Sequence, residues 1–431
     1  MKCLLIFLSV ILISIKGECQ YWKALGGGVQ GGGLVEALLS DTIHHKLYAG
    51  GVFNIIGNVS ADYMAWWDGS EWHHFPVQPS DPVVSFAMKE DTMIFVTANS
   101  NDFQVGRYVD TVFIDTLPKF SNVAYCLYVF HDTLYAGGEF SGGIKYWNGT
   151  TWKKLGGGVS GSEGAVYCIG SYGDQLIVGG HFSSAGGVSV NNIAAWNGNE
   201  WSDMGGGMTN QFTTPYVYTM EQYNGKLYVG GDFDHSGGVH TGSIAMWDGT
   251  VWDTVLLSTF GTSCGVFYDF QTDDSLFYVT GSISGGVGCM GDLAGEYDGH
   301  NWFNMHLGVG NAGLAITVFD GDVISGSENK FGYNGDTINY IAKFLGYPTE
   351  VSSTINNGSQ LISPNPASTS IQIHLPSNQQ TTLIIFNLIG EKLREEKISG
   401  NKISIDVSDL PAGMYVARTE KEVIGKFVKE E

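Results

Sequence analysis

The chain has 431 residues, 43% hydrophobic and 15% charged, with a formal net charge of −22. Its acidity is segregated: residues 20–360 hold 11 Lys and Arg against 33 Asp and Glu, whereas residues 361–431 hold 8 against 9. A field of that sign repels phosphate backbones and anionic membranes, which argues against nucleic acid as a partner.

Residues 1–19 read as a signal peptide. Met1-Lys2 supplies positive charge, Leu4 to Ile15 is apolar, and Gly17-Glu18-Cys19 offers a cleavage site before Gln20. The apolar run is too short for a stop-transfer helix. No later segment is apolar enough to span a membrane, so the mature chain is expected outside the inner membrane, without a membrane span. Cys126, Cys168, Cys264 and Cys289 remain after processing. Four thiols over such a length do not make a disulfide scaffold, and the fold must rest on its core.

From residue 20 to 347 the chain repeats two phrases. One is an aromatic, Asn or Asp, Gly, two variable residues and Trp, found at Trp67–Trp72, Trp147–Trp152, Trp196–Trp201, Trp247–Trp252 and, opening on Tyr, Tyr297–Trp302. The other is an apolar strand ending in a Gly pair and an aromatic, as in Leu47 to Phe53 and Leu227 to Phe233. Alternating aromatic and β-branched residues bounded by Asn-Gly or Asp-Gly turns give four short strands per unit. A four-stranded unit with a period of roughly 40–50 residues describes a β-propeller blade. The second-strand phrase begins at Leu47, Ile94, Leu134, Leu176, Leu227, Phe277 and Val323, which predicts seven blades, with six or eight as alternatives. Thr97-Ala98 and Ser325-Gly326 stand for the Gly pair in the two worn copies. The seventh unit has no fourth strand of its own, and Tyr21 to Gly28 matches the fourth strand at Thr151 to Gly158. The N-terminal strand is therefore expected to complete the last blade, hiding the sheet edges.

The Gly pair with its aromatic, and the Trp on the last strand, resemble kelch-type repeats and galactose-oxidase-like propellers. That resemblance covers residues 21–347 and implies the fold only; no copper-oxidase site has a counterpart here. The Asp-Gly-x-x-Trp turn differs from the Asp box of sialidase-like propellers, which keeps one more residue between Asp and Gly.

Residues 348–360 form a Ser-, Thr- and Asn-rich linker, and from 361 the character changes. Ser363-Pro364-Asn365-Pro366-Ala367 is followed by alternating Ile371, Ile373 and Leu375, then Leu383 to Gly390, Leu410 to Val416 and Gly425 to Lys429. This order resembles the type A C-terminal sorting domain of the type IX secretion system of Bacteroidetes. The resemblance implies a small β-sandwich over 361–431 that the secretion machinery reads through Pro364, Asn365, Pro366, Gly390, Leu410, Gly413, Tyr415, Lys426 and Lys429. It also implies a product that is secreted or held on the outer cell surface.

The repeated Trp residues recur once per blade, as inter-blade packing does, and are not site candidates. Blade geometry places the loop between strands two and three on the same face as the connections between blades. Those are the long segments, Ser183 to Asn192, His235 to Gly242 and Gly285 to Gly295, with Gly156 to Gly164 and Gly205 to Pro215. Binding surfaces sit on loops held by a scaffold, so Asn191, Asn192, Asp232, His235, His240 and Asp292 are the candidate binding residues. Cys264 and Cys289 fall on the same face and are expected to form a disulfide. Cys126 and Cys168 occupy equivalent inner-strand positions and read as small buried residues.

No catalytic set, cofactor or metal centre emerges. His44-His45 and His73-His74 are adjacent pairs that point to opposite sides of a strand. Acidity suits Ca²⁺, yet no EF-hand-like loop supports it, and the Gly runs lead into strands, not helices, so none is a phosphate loop. Asp followed by Ser or Thr and an aliphatic, at Asp41, Asp91, Asp110, Asp115, Asp132, Asp253, Asp274 and Asp336, resembles the O-glycosylation acceptor of exported Bacteroidetes proteins. Ordinary turn chemistry accounts for several copies equally well. The sequence thus predicts a surface recognition module for a glycan or a surface protein. A polysaccharide-acting propeller enzyme and a structural or gliding-associated surface protein are the alternatives.

Overall fold

A computed structural model describes residues 22–98, 103–255, 265–273, 275–282, 294–299, 302–305, 312–333, 336–345, 362–363, 367–387, 392–411, 413–419 and 423–429. The expected signal peptide and linker lie outside them. The chain divides into two compact units, Met1–Pro348 and Thr349–Glu431.

Among the described residues, the first unit contains seven four-stranded antiparallel sheets. In the fourth, Ala165–Tyr172, Gln175–His181, Ile193–Trp196 and Trp201–Asp203 pair in chain order. The inner strands pack in sequence round a ring, from Leu34–Asp41 through Val83–Lys89, Ala124–Phe130, Ala165–Tyr172, Tyr216–Tyr223 and Val266–Thr272 to Gly313–Phe319, which meets Leu34–Asp41 again. The architecture is a seven-bladed β-propeller. Trp22–Ala24 pairs with Asp336–Phe344, Trp22 opposite Phe344, so the N-terminal strand closes the last blade as expected.

One apolar cluster fills each of the seven junctions between blades. The fourth-strand Trp residues bind the junctions together through polar bonds as well. Trp72, Trp201 and Trp252 donate their indole N–H to the carbonyls of Leu25, Gly156 and Met204, each just past the fourth strand of the preceding blade, at 3.0, 3.0 and 2.6 Å. Trp152 and Trp22 do the same toward Pro118 and Met305 at 2.9 and 2.7 Å. The period-setting Trp is therefore both a core residue and an inter-blade tie.

The Gly pair has two distinct jobs. A Cβ on the first Gly would strike the inner strand of the next blade, as at Gly179, where Val217 Cγ1 would lie at 2.5 Å. A Cβ on the second would strike its own inner strand, as at Gly180, where the Ala165 carbonyl oxygen would lie at 2.1 Å. That close approach accompanies a β-bulge, and the bulge recurs in all seven blades, between Val35/Ala37, Val83/Ser85, Ala124/Cys126, Val166/Cys168, Val217/Thr219, Phe267/Asp269 and Gly313/Ala315. Because backbone cannot yield as a side chain can, Gly180→Ala is expected to destabilise the fold by about 1–3 kcal/mol. A urea unfolding midpoint equal to that of the parent would show that the bulge does not depend on this glycine.

The pairing register corrects two details of the repeat. Val96-Thr97, opposite Ser85 and Val83, occupies the Gly-pair position of the second blade, not Thr97-Ala98. In the seventh blade the position belongs to Gly326-Ser327, opposite Ala315 and Gly313. With period-two side chains, such a one-residue slip exchanges the two faces of the strand.

In the second unit, Ser370–Asn387 and Lys392–Asp406 form a long hairpin whose register shifts between His374 and Gln379. Ile362–Ser363, Gly413–Thr419 and Val423–Lys429 complete one five-stranded sheet. The sheet curves round Ile371, Ile373, Leu383, Ile385, Ile405 and Phe427, so a single bent sheet supplies both walls of the core.

Candidate functional site

The bulges decide what faces the central channel. The bulged residues are Glu36, Val84, Tyr125, Tyr167, Tyr218, Tyr268 and Leu314, and all seven line a single cavity of about 480 Å³ bounded by every inner strand. Four successive blades thus contribute a half-buried Tyr at the same position. Their rings form a continuous row of tilted and T-shaped contacts: Tyr125 to Tyr167 at 4.7 Å, Tyr167 to Tyr218 at 5.5 Å and Tyr218 to Tyr268 at 5.6 Å between centroids. Tyr216 stacks on Tyr218 at 5.6 Å and extends the arc to His181 at 4.9 Å.

The residue after the Gly pair provides the polar partners. Glu139 accepts the Tyr125 hydroxyl, and Asp232 pairs in register with Tyr216. From the inter-blade connection, Glu163 accepts the Tyr167 hydroxyl at 3.1 Å. Burial, then the hydrogen bond to a carboxylate, pushes the Tyr125 and Tyr167 phenols well above their ordinary range. These tyrosines are therefore neutral donors and flat contact surfaces, not phenolate nucleophiles. Burial also raises the Glu36 carboxyl, while the Asp232 carboxyl is raised by burial with the Asp234 charge adding to it.

Deeper in the channel, post-bulge side chains satisfy backbone of the next blade. Ser85 Oγ accepts the Leu127 N–H at 3.0 Å, and Asp269 accepts that of Ile316 at 2.8 Å as well as that of Phe270, its own neighbour, at 2.9 Å. Burial raises Asp269 to about 7, and it does the same to Glu221, which accepts the Thr272 hydroxyl at 3.2 Å. Cys126 and Cys168 sit at the same post-bulge position as free thiols, held protonated by burial.

Among the described residues, the long segments of the first, fourth and fifth blades on this face form hairpins; Gly285 to Gly295 lies mostly outside the described residues. Ser184–Ala185 and Val188–Ser189 form a hairpin joined by Val159–Ser160, and His235–Ser236 and Val239–His240 form one joined by Met208–Thr209. In the first blade Ile55–Ile56 and Val59–Ser60 make the same hairpin, bridged by Val29. This framework uses Asn191 and Asn192 as latches. Buried Asn192 accepts the Phe182 N–H at 3.2 Å and donates to Met208 O at 2.9 Å, and Asn191 donates to Gly206 O at 2.7 Å. Asp232 accepts from Asn210 Nδ2 at 3.3 Å beside the tyrosine arc. His235 stands directly opposite His240, with ring centroids 5.1 Å apart, and its Nδ1 lies 2.8 Å from Asp234 Oδ1. Asp234, His235 and His240 bring their ligand atoms within 4.8 Å of one another, as do the more exposed Asp68, Glu71 and His73. Phe212, 88% exposed, stands on the neighbouring connection. Asp292, Cys264 and Cys289 lie outside the described residues.

In the second unit the final hairpin gathers several of the expected sorting residues. Gly413 pairs with Lys429, and Val416 with Lys426. The Tyr415 hydroxyl donates to Pro411 O at 2.6 Å, its ring stacks on Phe427 at 5.5 Å, and Leu410 is buried. Pro364, Asn365, Pro366 and Gly390 lie outside the described residues. The family described as the secretion system C-terminal sorting domain matches residues 361–430. Residues 361–430 carry a type IX secretion sorting domain. The chain is accordingly exported to the cell surface or secreted, and among the described residues no helix is long and apolar enough to cross a membrane. No curated protein matches the chain. Among solved structures it is similar to PorZ, a surface component of the type IX secretion system of Porphyromonas gingivalis, with 13% identity and a TM-score of 0.45. It is also similar to the extracellular domain of a one-component system of B. thetaiotaomicron, with 10% identity and a TM-score of 0.48. The alignments cover 90% and 96% of this chain, which spans 58% of each of those chains.

The sequence reading missed the tyrosine arc. Its signal was available: aligning the inner strands puts Tyr125, Tyr167, Tyr218 and Tyr268 in one column, where Glu36, Val84 and Leu314 stand in the other blades.

Proposed function

We propose that the propeller is a surface recognition module that holds a glycan in the tyrosine-lined channel mouth. One observation carries the reading: four consecutive blades use a bulge to present Tyr, these rings adjoin Glu139, Glu163 and Asp232, and Glu36 lines the same cavity. Flat aromatic faces beside hydrogen-bonding carboxylates suit a ring with apolar faces and equatorial hydroxyls. Among the described residues lining the cavity there is no Lys or Arg. That charge balance favours neutral or amino sugars over uronic or sialic acids. The test is a glycan array spanning neutral, cationic and anionic sugars, probed with the full exported chain. Selective retention of neutral or amino sugars is expected, with Tyr167→Ala and Tyr218→Ala each weakening it about tenfold, roughly 1.4 kcal/mol. An array that stays silent, or variants that bind as the parent does, would remove the glycan and turn attention to a surface protein.

A polysaccharide-cleaving activity has one observation in its favour, the two channel carboxyls Glu221 and Asp269 raised to about 7. Shortened oligosaccharides from a bound ligand, lost in Glu221→Gln, would put that reading first. We further propose that residues 1–19 are removed as a signal peptide and that Cys264 and Cys289 form a disulfide. Peptide mapping under non-reducing conditions checks both, and a free Cys264 thiol would end the second.

A further inference from the structure

The hairpin of the fifth blade departs from its two structural counterparts at the three positions where a metal could be held. In register, Asn54, Ile55 and Ser60 of the first blade and Ser183, Ser184 and Ser189 of the fourth correspond to Asp234, His235 and His240. The hairpin therefore forms without imidazoles. Ile-Ile-Gly-Asn-Val-Ser and Ser-Ala-Gly-Gly-Val-Ser build it as well as His-Ser-Gly-Gly-Val-His does. Two imidazoles directly across a strand pair lie close enough to share a ligand, and the preceding carboxylate joins them.

We infer that Asp234, His235 and His240 form a transition-metal site, with Zn²⁺ the best-fitting ion. Two imidazoles and a carboxylate give an N₂O donor set of the kind Zn²⁺ accepts in three-ligand sites with an open fourth position. Ca²⁺ and Mg²⁺, which take oxygen donors, are disfavoured by the same set. Ligand atoms about 2.0–2.2 Å from the metal stand roughly 3.3–3.6 Å apart in tetrahedral geometry. Asp234 and His235 stand 2.8 Å apart and every ligand pair lies within 4.8 Å, so small rotations reach that spacing. Side-chain rotation of exposed His240 can supply the adjustment.

Neighbouring hydrogen bonds orient the ligands. The Gln211 backbone N–H donates to Asp234 Oδ1 from 3.2 Å and fixes the direction in which the carboxylate faces the imidazoles. Gln211 Nε2, 3.4 Å from His235 Nε2, is placed to orient the imidazole. Support of ligands by such neighbouring bonds is general at metal centres. Phe212, which follows Gln211 in the chain, is exposed. The inference stands whether or not the tyrosine arc binds sugar.

The experiment titrates Zn²⁺ alone into the metal-stripped full chain by calorimetry, with Co²⁺ as a spectroscopic substitute. One dominant site is expected, with visible Co²⁺ absorption bands of four-coordinate intensity. His235→Ala and His240→Ala should each weaken Zn²⁺ at least tenfold and abolish the Co²⁺ bands. His73→Ala, in the exposed group on the first blade, should leave both unchanged. His240 is exposed, so His240→Ala should keep the parent far-UV circular dichroism; His240→Gln gives a second, conservative check. Unchanged Zn²⁺ affinity in the His240 variants, or loss of the site in His73→Ala, would overturn the assignment.

Discussion

Replacing Trp22 with Ala is expected to lower the unfolding free energy by about 3–5 kcal/mol, the cost of truncating a large buried aromatic. Trp22 is 2% exposed, its ring packs against Phe344 at 5.1 Å, and its indole N–H reaches across to Met305 O in the sixth blade at 2.7 Å. It anchors a strand of only three residues, Trp22–Ala24, the sole described partner for that edge of Asp336–Phe344. With Trp22–Ala24 in place, Asp336–Phe344 is paired on both sides. Removing the N-terminal strand exposes an unpaired strand edge that invites aggregation. Deleting residues 20–25 should therefore do more than Trp22→Ala, giving a chain that is protease-sensitive and self-associating. Urea unfolding measures the first variant; limited proteolysis and light scattering measure the second. A deletion variant that stays monomeric and resistant would mean that the ring holds through its apolar junctions alone.

That closure was legible in the sequence because it is a matter of counting. The match of Tyr21–Gly28 to Thr151–Gly158, and a seventh unit lacking a fourth strand, left one arrangement that used every strand once. The Trp positions were legible for the same reason, since they recur at a fixed place in each blade. The bulge was not legible. It depends on which residue faces which across the strand pair, and a one-residue slip at Val96-Thr97 and Gly326-Ser327 was enough to hide it. With the bulge hidden, strict alternation could not say that Tyr125, Tyr167, Tyr218 and Tyr268 share one cavity.

The loop candidates show a different limit. Asn191, Asn192, Asp232, His235 and His240 are all polar residues on the expected face, yet they do different work. Asn192 is consumed by backbone groups that would otherwise be buried unpaired, a need that composition does not reveal. Asp232 lies at the tyrosine arc because it follows the Gly pair of a blade that carries a bulged Tyr. His235 and His240 are set apart by comparison among hairpins, where Ile55 and Ser184 stand for the first and Ser60 and Ser189 for the second.

The channel carboxyls give the second large effect, a fold more stable at pH 5 than at pH 8. Burial raises Glu221 and Asp269 to about 7, and their mutual repulsion adds to the Asp269 shift. In the unfolded chain both ionise near pH ~4. Well below that value both states bind the protons and the groups contribute nothing. Between pH ~4 and 7 the unfolded chain releases protons that the fold retains, so stability falls as pH rises, and above 7 the loss is complete. The combined effect is on the order of a few kcal/mol. Glu296, raised to about 7 by burial and then by the Asp273 charge, and Glu36, raised by burial, add with the same sign. Carboxylates held low act elsewhere. Asp115, held down by Arg107, loses its contribution only as pH falls below the ordinary carboxylate range. Urea midpoints measured from pH 5 to 8 should therefore decline. Asp269→Asn should flatten the decline, because its amide oxygen can still accept the Ile316 N–H while carrying no charge. A parent midpoint that rises from pH 5 to 8, or a variant as pH-sensitive as the parent, would mean that these carboxylates ionise in contact with channel water. Half-buried carboxyls on a channel wall of seven inner strands resist ionisation, and the profile reads that resistance directly.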